Sequence, residues 1–268
     1  MQLGNNAHFV FKQHIRKKKM SDALTPGSFF APVGGISYFV CGGEYETKIY
    51  IQNYFSLLTD SKDAKAKWTL DIYGTSGEKI ETKEGRLTGS AGAVITLSDE
   101  KKYGKFGTLW TKIAFDDAEY TASKPFGTIF FAEFSKKTAA QSYKIIMHSL
   151  GFPTASIYDY DRTTTGLMMP ADSSPHLIYA NGSLLTGRGT SAGGTIDFIN
   201  AKHQHLEVKI PEIALSLGSN KLDLFSISSA LRAHIGGEPF SMQMKGHNIL
   251  GKPLLIMEGK DTFKGDHL

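Results

Sequence analysis

The sequence predicts an all-β protein of two tandem antiparallel β-sandwich domains that arose by internal duplication. Three observations lead to this prediction. Short segments rich in β-branched and aromatic residues follow one another along the chain, separated by glycine, serine or proline. Several of them alternate apolar and polar residues, as a half-buried strand does. Blocks of sequence also recur in the same order in both halves of the chain.

The recurring blocks carry the duplication hypothesis. The longest pair aligns without a gap over fifteen residues and keeps Thr, Asp, Glu and Lys at four positions. One short match carries little weight, but three in one order favour a tandem repeat. The matched pairs are residues 56–59 with 183–186, 69–83 with 195–209, and 124–126 with 238–240.

The same patterns divide the chain. We expect a basic, disordered leader over residues 1–24, β-sandwich domains over 25–150 and 151–258, and a polar tail over 259–268 that frays. The five basic residues within the first nineteen exceed the whole net charge of +4, so the rest of the chain carries −1. A nucleic-acid-binding domain carries its positive charge on a folded face, so we expect no nucleic-acid partner. The alternative is that the leader is an arm that touches phosphate or anionic lipid.

Composition narrows the setting of the protein. Apolar residues make up 41% of the chain, which predicts a packed core, and no apolar run reaches the roughly 20 residues that span a bilayer. The single cysteine, Cys41, excludes an intrachain disulfide, and we expect a reducing, cytoplasmic location and no cofactor. The oligomeric state, including a homo-oligomer, stays open.

One histidine pair has the spacing of metal ligands. His203 and His205 would point to the same side of a strand, and Glu207 would continue that side. In the repeat alignment the two histidines fall on Gly77 and Lys79, beside a predicted hairpin turn, and the first half has no histidine there. Exposed turn histidines are therefore the favoured interpretation, and a metal site is the alternative.

Aromatic residues suggest a different kind of site. Tyr54, Trp68 and Trp110 are candidates for a surface platform that stacks against a sugar or a peptide, although core packing explains most aromatic residues on strands. We assign no catalytic residue. Cys41 sits beside glycines and lacks a persuasive base nearby in the sequence.

The repeat unit of about 127 residues resembles the sensory rhodopsin transducer family. The resemblance rests on residues 69–97 and on the Pro-led strand KPFGTIFF at 124–131, with a fainter echo at 238–245. It implies a compact β-sandwich without catalysis that binds partners or small ligands. Two fused copies depart from the usual single domain, and we carry over no functional residue.

These observations favour one function over another. We expect a non-catalytic protein that binds a partner protein or a carbohydrate-like ligand. The alternative is a metal-dependent small-molecule enzyme with its site in the second domain, built on His203, His205 and Glu207.

Overall fold

A computed structural model describes residues 33–53, 56, 65–115, 130–139, 141–148, 150–152, 157–182 and 191–267. The predicted leader, Tyr54 and the repeated block 124–126 lie outside the described residues. Strands make up 67% of what is described, so the all-β class is confirmed. Among these residues, no helix is long and apolar enough to cross a membrane.

The first half, residues 33–152, contributes two antiparallel sheets. Sheet A has the strand order β4-β3-β6-β1-β9, and sheet B has the order β5-β2-β7-β8. A short helix, α1 (Glu100–Tyr103), connects the two sheets between β5 and β6. The strands are β1 (Val33–Val40), β2 (Tyr45–Gln52), β3 (Lys65–Tyr73), β4 (Lys79–Thr88), β5 (Gly92–Leu97), β6 (Phe106–Phe115), β7 (Phe130–Lys137), β8 (Ser142–His148) and β9 (Leu150–Phe152).

The second half, residues 157–267, contributes two more sheets. Sheet C has the order β10-β15-β12-β13, and sheet D has the order β14-β11-β16-β17. Two short helices, α2 (Leu224–Ile227) and α3 (Leu231–Ile235), follow β14. The strands are β10 (Ile157–Leu167), β11 (Ser173–Ala180), β12 (Ala192–Ile199), β13 (His205–Ile213), β14 (Ser219–Asp223), β15 (Phe240–Leu250), β16 (Leu254–Gly259) and β17 (Thr262–His267).

The strand orders of the two halves correspond. When nine is added to each strand number of the order β4-β3-β6-β1, the result is β13-β12-β15-β10, the order of sheet C. The same shift turns the order of sheet B into that of sheet D. Strand β9, which pairs with β1, has no counterpart among the described residues of the second half.

Sheet D is buried on both faces. On β11, Leu177 and Tyr179 belong to the core shared with sheet C, whereas Ile178 and Ala180 belong to the core of the first half. This alternation follows from the two-residue period of a strand. The four sheets form a propeller-like ring of four blades, and the predicted arrangement of two tandem sandwiches is not clearly seen in it.

One boundary differs from the sequence analysis. The polar tail expected to fray contains β17, which pairs along its whole length with β16 and buries Phe263 in the first core. Strand β14 ends at Asp223, because the Asp223 carboxylate accepts a hydrogen bond from the Phe225 amide and caps α2.

Candidate functional site

A cavity of about 270 Å³ lies where the two halves meet. We call it the inter-half cavity. One wall comes from the turn between β1 and β2 and from the start of β6, and the other wall comes from sheet D. Its lining is Val40, Cys41, Gly42, Gly43, Glu44, Tyr45, Glu100, Lys105, Phe106, Lys221, Ile256, Glu258 and Phe263.

The first wall is shaped by a glycine turn packed against α1. Gly42 has φ +89°, and its carbonyl accepts a hydrogen bond from the Tyr45 amide at 3.0 Å. A Cβ on Gly42 would collide with the Glu100 side chain, so glycine lets α1 approach the turn. Asp99 caps α1 by accepting hydrogen bonds from two backbone amides of the helix, which fixes the position of Glu100 at the rim.

The second wall follows from strand periodicity. On β16, Leu254 and Ile256 belong to the first core, and the alternating residues Leu255 and Met257 belong to the second core. Glu258 continues the side of Ile256 and so faces the cavity. The first half covers this side of sheet D and leaves the cavity between them.

A polar cluster joins the two walls. The Tyr45 hydroxyl, from the first half, donates a hydrogen bond to the Glu258 carboxylate, from the second half. Lys221 Nζ lies 2.9 Å from Glu258 Oε2, and His176 Nε2 lies 3.7 Å from the same oxygen. These side chains are mostly buried, so the interactions are screened less than those of a surface ion pair.

The environment shifts the pKa of each acid in this cluster. Burial raises the pKa of the Glu258 carboxyl, but the hydrogen bond from Tyr45 and the Lys221 ammonium outweigh burial and hold it below its usual range. Burial and the Glu258 carboxylate raise the pKa of Tyr45. Burial, assisted by Lys221, lowers the pKa of His176 despite the carboxylate nearby. At neutral pH the cluster is thus a carboxylate paired with an ammonium and a neutral tyrosine.

Two further contacts hold the β16–β17 turn against sheet B. Lys136, which is 4% exposed, donates from Nζ to the Gly259 carbonyl. The Tyr143 hydroxyl donates to the Asp261 carbonyl. Together with the Tyr45 hydrogen bond, they fix the turn that carries Glu258 and Phe263. Hydrogen bonds from three strands of the first half, β2, β7 and β8, therefore hold the second wall of the cavity in place.

Cys41 lies in the cavity wall but is poorly suited to nucleophilic chemistry. Its thiol is 2.9 Å from the Gly104 carbonyl, to which it donates a hydrogen bond. Burial, followed by the negative charges of Glu100 and Asp99, raises its pKa to about 11. Because the thiolate is the reactive form, the thiol is held in its unreactive state at neutral pH.

The predicted aromatic platform is not assembled from the described residues. Trp68 on β3 is 7% exposed and packs over Gly85 in the first core. Trp110 on β6 is half-buried, and Lys112 Nζ lies 3.9 Å from its ring centroid. Trp68 pairs with Ile113 and Trp110 with Asp71, which places the two rings on opposite faces of sheet A. Tyr54 lies outside the described residues, so a ligand-binding role for these aromatics stays a prediction.

The predicted metal ligands lie at the turn between β12 and β13. His203 occupies the turn itself with φ +58°, and His205 begins β13 with Nδ1 2.6 Å from Asp197 Oδ2. Glu207 is exposed two residues further along β13. Within the described part of the chain, no group of three or more histidine, cysteine, aspartate or glutamate side chains is placed to hold a metal ion. The metal site stays a prediction.

Sequence reasoning missed the cavity and its polar cluster. The one local signal was the Gly42-Gly43 turn, which Glu44 separates from Tyr45. The partner of Tyr45 is 213 residues away in the chain, and no short-range pattern connects the two positions.

Comparisons with known proteins add no assignment. No protein-family model and no curated protein matches the chain. Among solved structures, the chain is similar to a marsupial T cell receptor, with 12% identity, a TM-score of 0.15, and coverage of 88% of this chain and 70% of that one. At this TM-score we infer neither fold nor function from the similarity. The resemblance to the sensory rhodopsin transducer family stays a prediction.

Proposed function

We propose that the protein is a non-catalytic binding protein that holds a small ligand in the inter-half cavity. The observation that carries the proposal is the cavity itself, which has aromatic and aliphatic walls and a few convergent polar groups. Binding sites for small molecules commonly combine these two features and lie between structural units. The hydrogen bonds that hold the β16–β17 turn favour a cavity wall that is already formed before a ligand binds.

The state of the polar groups favours binding over catalysis. Glu258 is paired with Lys221 and Tyr45, and its pKa lies below its usual range, so it is a weak general base near neutral pH. Cys41 is held as a thiol. A carboxylate and a hydroxyl in fixed positions are suited to orienting a ligand by hydrogen bonds.

The same proposal includes duplication of one β-sandwich unit. Support comes from the matching strand orders and from the β3–β4 and β12–β13 hairpins. In each hairpin an aspartate pairs with the first residue of the next strand: Asp71 with Lys79 at 3.5 Å, and Asp197 with His205 at 2.6 Å. His203 and Gly77 both have positive φ at the same place in the two turns.

A partner protein or a carbohydrate-like ligand, and a cytoplasmic location, remain part of this proposal. Trp68 and Trp110 lie on opposite faces of sheet A and give a sugar no shared face, so the support for a ligand comes from the cavity. The single cysteine supports a reducing location.

Binding of 2-phenylethanol, a neutral probe with an aromatic ring and a hydroxyl, tests the proposal. Phe106→Trp enlarges a half-buried wall residue into the cavity and is expected to weaken binding in an NMR titration. Phe131→Trp makes the same change at a half-buried position on sheet B that does not line the cavity, and is expected to leave binding unchanged. Absence of binding, or equal loss in both variants, would refute the site.

A further inference from the structure

We infer that the ligand of the inter-half cavity is a small molecule with an apolar body and a primary amine. This inference rests on the proposed function and adds the chemical class of the ligand. The walls that would enclose the body are Val40, Phe106, Ile256 and Phe263, of which three are at most 4% exposed. Such walls bind an apolar group favourably, because burial removes its apolar surface from water.

The charges around the cavity do not cancel. The lining contains three carboxylates, of Glu44, Glu100 and Glu258, and two ammoniums, of Lys105 and Lys221. Lys221 is bound to Glu258 at 2.9 Å, with 26% and 18% of the two side chains exposed. Lys105 lies 3.8 Å from Glu100.

Glu44 supplies the uncompensated charge. It lies at the rim, and the residues that the structure describes offer its carboxylate no ion pair, although its backbone carbonyl accepts a hydrogen bond from the Lys137 amide. An ammonium on the ligand would provide the missing cation at the edge of an apolar cavity. A carboxylate on the ligand would add a fourth negative charge to the same rim.

The pKa values of Cys41 and Tyr45 indicate that the electrostatic potential in the cavity is negative. After burial, the charges that raise the pKa of Cys41 are those of Glu100 and Asp99. Those that raise the pKa of Tyr45 are Glu258 and Glu44. A field that disfavours a thiolate or phenolate favours a cation in the same place.

Aromatic rings near the rim also suit a cation. Lys136 Nζ lies 5.7 Å and Lys221 Nζ 6.0 Å from the Tyr45 ring centroid, so this ring already attracts ammonium groups of the protein. Phe106 lines the same cavity and has no ammonium of the described residues over its ring. It gives a ligand amine an aromatic neighbour in the lining that also contains Glu44 and Glu100.

Three probes of similar size test the inference: 2-phenylethylamine, 2-phenylethanol and 3-phenylpropionate. In NMR titrations of the full chain at neutral pH and low salt, the amine is expected to bind about fivefold more tightly than the alcohol, the effect of one charge pair near water. The carboxylate is expected to bind most weakly. Added salt should reduce the advantage of the amine.

Two variants test whether Glu44 at the rim causes the preference for the amine. Glu44→Gln is expected to reduce the affinity for the amine to about that for the alcohol, and Glu238→Gln, at an exposed glutamate away from the cavity, to leave it unchanged. If the alcohol or the carboxylate binds as tightly as the amine, the inference is wrong and the proposed function stands. If none of the three probes binds, the proposed function itself is wrong.

Discussion

At the scale of single residues, Tyr45 is one of the side chains that connect the two halves by a hydrogen bond. The centroid of its ring lies 5.8 Å from that of the Phe263 ring, and its hydroxyl donates a hydrogen bond to the Glu258 carboxylate. A hydrogen bond to a charged acceptor contributes more than a neutral one, and a buried acceptor that loses its donor carries a desolvation cost. Tyr45 therefore stabilises both the interface and the ionised form of Glu258.

Tyr45→Phe should raise the pKa of Glu258, because the hydrogen bond from the hydroxyl lowers it in the native protein. The variant should also lose about 1.5–3 kcal/mol of stability. NMR of the Glu258 side-chain carboxyl carbon across pH measures the first effect. Tyr50→Phe is the matched control, because Tyr50 donates to Glu133 within sheet B at 2.8 Å. An unchanged Glu258 titration in Tyr45→Phe would show that the hydrogen bond does not form.

The histidine pair gives a second test at this scale. His203→Asn keeps a residue that tolerates positive φ, and His205→Gln keeps a polar side chain at an exposed position. We expect the double variant to change stability by at most about 0.5 kcal/mol and to leave the metal content of the purified protein unchanged. Loss of stoichiometric zinc or iron in the variant would instead support the metal-dependent enzyme.

At the scale of elements, the β3–β4 hairpin matches the β12–β13 hairpin in strand order and also contacts the second half. Its turn fits against the start of β14, where the Ser219 amide donates to the Thr75 carbonyl at 3.1 Å. Gly77, at φ +80°, has no room for a Cβ because the Ser216 carbonyl lies against it. The hairpin turn is therefore part of the interface between the halves.

Gly77→Ala is expected to cost roughly 3 kcal/mol or more, because it adds a backbone collision to the strain of a left-handed residue. Gly43→Ala is the matched control. Gly43 also has positive φ, at +59°, but a Cβ there would meet no atom within 4 Å, so about 1 kcal/mol is expected. Chemical denaturation measures both values. Equal losses would show that the turn does not contact the second half.

Strand patterns in the sequence predicted some elements and missed others for physical reasons. The alternation of the apolar residues Trp68, Leu70 and Ile72 predicted strand β3, in which these side chains are buried. In β8 the exposed Ile146, between the buried Ile145 and Met147, hides the alternation. In β17 only Phe263 is apolar, and the strand exists because β16 and the first core cover it.

The candidate site could not be predicted from the sequence, because the groups that form it come together only where the two halves meet. Tyr45 and Glu258 are each ordinary in their local context, and their roles arise from the second face of sheet D. The histidine spacing, in contrast, was visible in the sequence, but His203 lies in a turn and His205 begins β13. Local spacing predicts shared direction on one strand and does not predict which partner faces it.

At the scale of the whole molecule, stability should fall as the pH is lowered. The pKa of His176 is below its usual value of 6.5 in the folded protein, so the unfolded chain binds more protons and folding is disfavoured as pH falls below 6.5. The lowered pKa of Glu258 adds a loss of stability as pH falls below 4.5, and the lowered pKa of Asp71 adds a further loss below 3.8.

Denaturation curves from pH 8 to pH 3 test this dependence. We expect the decline just below pH 6.5 to be smaller in His176→Gln, because the variant has no imidazole to protonate in the unfolded chain. The groups that face His176 are Lys221, Glu258 and Asp223, and all three are retained. A wild-type protein that gains stability between pH 6.5 and pH 5 would contradict the burial of a neutral His176.

Our central claim is that the two halves meet around a cavity that binds a ligand. The most direct test is the set of intermolecular NOEs between bound 2-phenylethanol and the protein. We predict NOEs from the aromatic protons of the probe to Phe106, Ile256 and Phe263, which lie on both walls. NOEs confined to exposed apolar residues such as Val94 and Ile146, which are 60% and 64% exposed on sheet B, would contradict the claim.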